Sequence, residues 1–79
     1  MQNADNPSAY ASDLAAMTDD EVFRDMQALE KKSEAEAKNR SAALDEILAQ
    51  IALVEQEIEQ RFPGQALAPY KQWLRQETL

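Results

Sequence analysis

The sequence predicts an all-α protein: an antiparallel helical hairpin with helices over about 19–38 and 41–62, and a short C-terminal helix over about 69–77. Three observations carry this reading. No glycine or proline lies between Thr18 and Phe62. Ala, Leu, Glu, Gln, Lys and Arg, the best helix formers, dominate that interval. Its apolar residues recur in steps of three and four, as on a helix that buries one face.

Residues 1–16 are polar, broken at Asn6-Pro7-Ser8, and show no sustained period. They are expected to form a disordered N-terminal tail ahead of a single small helical domain over 17–79, with Tyr10 and Leu14 available to dock on a partner. Met1–Asp5 shows neither a basic nor an apolar stretch, so no secretory leader is expected. No apolar run is long enough for a membrane span, and the chain is expected in the cytoplasm.

The first helix has a strong start. Thr18 is an N-cap, and Glu21 three residues later completes a capping box. Met17 before the cap and Val22 at the fourth helical position fit a hydrophobic staple. Asp19, Asp20 and Glu21 put negative charge at the positive end of the helix dipole. The stop is equally plain: Pro63 and Gly64 follow Phe62, and proline disfavours helical geometry in the residue before it. Pro69 suits the first turn of the last helix.

Between start and stop, two apolar stripes are visible: Val22, Met26 and Leu29, then Leu44, Ile47, Ile51, Val54, Ile58 and Phe62, with Leu48 on the flank. These nine stripe residues are the expected core and dimer contact. The segment 30–46, EKKSEAEAKNRSAALDE, admits two readings. A continuous helix over 19–62 would join the stripes in phase and form an antiparallel coiled coil with a second chain. Its joining positions would be Ser33, Glu36 and Arg40, which are poor core residues. The hairpin reading is preferred. Lys31, Lys32 and Lys38 suit a helix C-terminus, Asn39 tolerates the left-handed conformation, and Ser41 is an N-cap with Asp45 and Glu46 following.

At 79 residues the chain is one small domain. A core of this size rarely supplies more than a few kcal/mol, and without cysteine or histidine neither disulfides nor the usual zinc sites are available. A homodimer resembling a four-helix bundle is therefore expected, with an obligate partner chain as the alternative.

The net charge is −7 and the pI about 4.4. That sign opposes direct nucleic-acid binding, which draws most of its affinity from phosphate contacts. The excess negative charge lies in residues 1–29 and 42–62, whereas 30–41 and the tail from 63 are slightly positive. A hairpin brings Asp19, Asp20, Glu21 and Asp25 beside Glu55, Glu57 and Glu59, and this acidic end is a candidate surface for a basic protein. The plainer alternative is a solvated end softened by Lys71 and Arg75. Leu67, Tyr70, Trp73 and Leu74 form a second candidate surface on the last helix. They either anchor in a partner's groove or cap the chain's own Ile58–Phe62 end.

Nothing in the sequence assembles a catalytic constellation. Ser33, Ser41 and Thr18 have helix-surface or capping explanations. Glu55 and Glu59, four apart, lack the convergent ligands of a calcium or magnesium site. No enzyme activity, metal or cofactor is expected. The expectation is an acidic protein-interaction module, a small regulator or inhibitor that binds and blocks a larger protein, including a nucleic-acid-binding one. A structural or assembly coiled-coil subunit, or a chaperone-like adaptor, is the alternative.

Overall fold

The computed structural model describes residues 7–40 and 42–77. They form four helices and no strand among the described residues: α1 (Pro7–Ala16), α2 (Asp19–Asn39), α3 (Ala43–Arg61) and α4 (Ala68–Glu77). The helices pack into a small bundle of 33 × 30 × 20 Å.

The start of α2 forms as its residues dictate. Thr18 is extended at φ −73°, ψ 164° and accepts from the Glu21 backbone N–H at 3.2 Å. The Glu21 carboxylate in turn accepts from the Thr18 N–H at 2.9 Å. Two of the amides that a helix start leaves without partners are thereby satisfied.

The continuous helix over 19–62 is interrupted: α2 ends at Asn39, α3 begins at Ala43, and Arg40 and Ala42 are in turns. Such a rod would be about 65 Å long at ~1.5 Å per residue, twice the longest dimension of 33 Å. The left-handed residue that ends α2 is Arg40 (φ 53°, ψ 41°), not Asn39, which stays helical. Arg40 donates its N–H to the carbonyls of Ala37 and Glu36. The cap expected from Ser41 lies outside the described residues. Ala42 precedes α3 with helical dihedrals and no side-chain cap, while Asp45 and Glu46 occupy the first turn.

Helix α3 stops at Arg61, and Phe62 swings to φ −132°, ψ 68°, consistent with the exclusion of helical geometry before Pro63. The connection to α4 then uses two left-handed residues, Gly64 (φ 79°) and Ala66 (φ 53°).

Helix α1 corrects the expectation of a disordered tail over residues 7–16. Ten residues are too few for a helix stable alone in water, and the segment has no acidic residue in its first turn. Tertiary contacts hold it. Leu14 is 1% exposed, and the Tyr10 hydroxyl donates to the Asp25 carboxylate on α2.

The core is one cluster of Leu14, Val22, Phe23, Met26, Leu29, Ile47, Val54, Ile58 and Tyr70. Six of the nine residues expected from the stripes are in it. Leu44, Ile51 and Phe62 are half-buried instead. Phe62 has left the helix, and Leu44 lies next to the α2–α3 turn. Side-chain hydrogen bonds from Tyr10 of α1 and from Tyr70 and Trp73 of α4 reach α2 at Asp25, Glu30 and Asp20, well away from that turn. Leu48, on the same stretch of α3, is 48% exposed.

Candidate interaction surface

The end of the bundle opposite the turn is organised by Arg61, the last residue of α3. Its Nε donates to Glu57 one turn earlier at 2.6 Å. Its Nη1 donates to Asp19 at the start of α2 at 2.8 Å. Its Nη2 donates to the backbone carbonyls of Leu14 at 2.8 Å and Met17 at 2.7 Å. One planar guanidinium, with five donors in a fixed fork, thus joins the end of α1, the start of α2 and the end of α3. The arginine side chain is only 18% exposed. Hydrogen bonds to Glu57 first, and Asp19 second, raise its pKa above the ordinary value, so it is a fixed positive charge.

The acidic residues expected to form a patch are divided among several tasks. Asp19 and Glu57 meet through Arg61. Asp20 pairs with Arg24 at 2.8 Å and accepts from the Trp73 indole N–H at 2.8 Å. Glu21 closes the capping box, and Asp25 receives Tyr10. Glu59 accepts from the Gly64 backbone N–H at 3.0 Å, stabilising the turn after α3. Glu55 is exposed. Carboxylates from α2 and α3 therefore converge at Arg61, while Asp20 turns toward α4.

The aromatic helix folds back on the chain's own core. Tyr70 is 2% exposed and donates its hydroxyl to Glu30 at 2.7 Å. Burial, then the hydrogen bond to Glu30, push its pKa upward; burial and Asp25 do the same for Tyr10. Leu67, Trp73 and Leu74 are half-buried against the core. Phe23 is the hub. Its ring centroid lies 6.0 Å from Phe62, 6.0 Å from Tyr70 and 5.9 Å from Trp73. At these separations aromatic pairs add to the benefit of burial alone.

Sequence reasoning passed over Phe23 and Arg61. A signal existed for each: Val22 and Phe23 together widen the apolar face of α2 beyond a single seam, and Glu57 to Arg61 is a favourable i, i+4 pair. Two open depressions flank this end. One, of about 330 Å³, is lined by Met17, Glu21, Arg24, Asp25 and Ala28. The other, of about 220 Å³, is lined by Phe23, Phe62, Pro69, Gln72, Trp73 and Gln76. Among the described residues no helix is long and apolar enough to cross a membrane. No protein-family model, no curated protein and no solved structure matches the chain.

Proposed function

We propose that this chain is a non-enzymatic protein-interaction module, a small regulator or inhibitor that binds a larger protein through the acidic end of the α2–α3 pair. In this reading the two helices act as an antiparallel hairpin, and the partner presents a basic surface such as the face of a nucleic-acid-binding protein. The carrying observation is the contact of Arg61 with both Asp19 and Glu57. It draws acidic segments of two helices to one end, which no single helix could do. The test measures binding of the full chain to a lysine- and arginine-rich peptide from about 0.05 to about 0.5 M salt, a range over which screening of exposed charges becomes nearly complete. Steep weakening with salt, together with lower affinity and a shallower salt dependence in Glu55→Lys, supports the reading. A salt-insensitive interaction, or none at low salt, rejects capture by charge.

A second reading, a structural subunit that self-associates into a four-helix-bundle-like homodimer, is favoured by the exposed Leu48 beside half-buried Leu44. Sedimentation decides it: a dimer that Leu48→Lys converts to monomer supports self-association through α3, and a monomer throughout the micromolar range rejects it.

A further inference from the structure

We infer that the depression between α4 and Phe62 binds an arginine side chain of a basic peptide, an inference that rests on the acidic-module reading above and assigns it a specific contact. Three aromatic side chains, Phe23, Phe62 and Trp73, line it together with Pro69, Gln72 and Gln76. The rings form one continuous wall: Phe23 lies 6.0 Å from Phe62 and 5.9 Å from Trp73 by centroid. None of the lining residues is charged, so the surroundings set the local potential.

Those surroundings are acidic. Asp20 accepts the indole N–H of Trp73 at 2.8 Å and pairs through its other oxygen with Arg24, while Asp19, Glu57 and Glu59 leave this end with more acids than bases. Glu59 caps Gly64 in the turn that begins at Phe62. The two cations of α4, Lys71 and Arg75, occupy the other flank of that helix, about 130° around the axis from the lining positions at 3.6 residues per turn. A site with aromatic walls and a negative rim favours a cation. Arginine fits better than lysine: its planar, weakly hydrated guanidinium stacks on rings and spreads several donors. Gln72 and Gln76, one turn apart on α4 and both exposed, supply amide oxygens to receive them. A purely apolar or proline-rich segment would make no use of the negative potential of the rim.

Trp73 is the only tryptophan in the chain, so its fluorescence reports on this site alone. The experiment titrates the full chain with a capped decapeptide of alternating arginine and glycine, following Trp73 emission and backbone amide shifts. The controls are the citrulline counterpart, which keeps the shape and removes the charge, and a lysine counterpart. The inference expects shifts centred on Phe23, Phe62, Gln72, Trp73 and Gln76. It also expects about tenfold weaker binding with citrulline, consistent with a partly desolvated cation on an aromatic face. The double variant Gln72→Lys with Gln76→Lys, both on the solvent side of α4, should lose binding by a similar factor while keeping its helical circular dichroism. Salt-sensitive binding whose shifts stay away from α4, untouched by the double variant, overturns this inference and leaves the acidic-module reading standing. Equal binding of the citrulline peptide, or preferential binding of a proline-rich decapeptide, also overturns it. No binding of any basic peptide at low salt sinks both.

Discussion

The two ends of the α2–α3 pair are built on different principles. At one end side chains hold the backbone at three irregular points: the capping box at Thr18, Arg61 on the carbonyls of Leu14 and Met17, and Glu59 on Gly64. Helices α1 and α4 cover it, and four aromatic rings adjoin one another there. At the other end the chain reverses through Arg40 in a left-handed conformation, Ala42 offers no cap, and Leu48 stays in solvent. Stability is therefore concentrated where the acidic charge and the aromatic depression lie.

Substitutions can break or sharpen this contrast. The largest effect belongs to Ile58→Ala, which empties a fully buried site and should cost about 3 kcal/mol in denaturant unfolding. Arg61→Ala comes next, at about 2 kcal/mol, since it strips partners from Glu57 and two backbone carbonyls. Hydrogen exchange should show α1 released first, and Arg61→Lys should restore little because an ammonium cannot span the same contacts. Alkali probes the covered end selectively. The pKa values of Tyr10 and Tyr70 are both raised, so folding favours their neutral forms. That stability is fully present below about pH 10, where the unfolded tyrosine ionises, and is lost as pH rises further. Melting at about pH 11 should reveal a loss on the order of 1 kcal/mol per tyrosine, diminished in Tyr70→Phe.

At the turn the effects are smaller and one changes sign. Arg40→Gly relieves a side chain from the left-handed region and should stabilise by about 0.5–1 kcal/mol. Leu48→Gln should change stability by less than about 0.5 kcal/mol. If Leu48→Gln instead cost as much as Ile58→Ala, the turn end would be buried in solution and the contrast would fail.

How legible was this in the sequence? The capped start at Thr18, the stop before Pro63 and the helix around Pro69 follow from short-range rules, because the groups involved lie within four residues of one another. The stripe Val22–Met26–Leu29 likewise reports the seam with α3. Helix α1 is harder to read: Pro7 at its first position is a start signal of the kind Pro69 gives α4, but its anchors, Asp25 and Arg61, are remote in sequence. Phe23 was missed for a related reason, since its neighbours Tyr70 and Trp73 come from a fourth helix whose placement no periodicity records. The left-handed residue is Arg40, one position beyond the expected Asn39. For the surface, the acidic residues and the aromatic helix were both readable. Their mutual engagement through Asp20 and Trp73 was not.

The reach of Arg61 also bears on how the protein is made. Its bonds to Leu14 and Met17 span 47 and 44 residues. On a ribosome adding about 5–20 residues per second, α1 is polymerised about 2–9 seconds before Arg61. During that interval the carbonyls of Leu14 and Met17 lack their guanidinium, although Asp25, the partner of Tyr10, follows within 15 residues. A transcript or protease that ends the chain short of residue 61 would make this condition permanent. Helix α1 thus depends on a residue polymerised more than about forty residues after it, and its order is a record that synthesis reached Arg61.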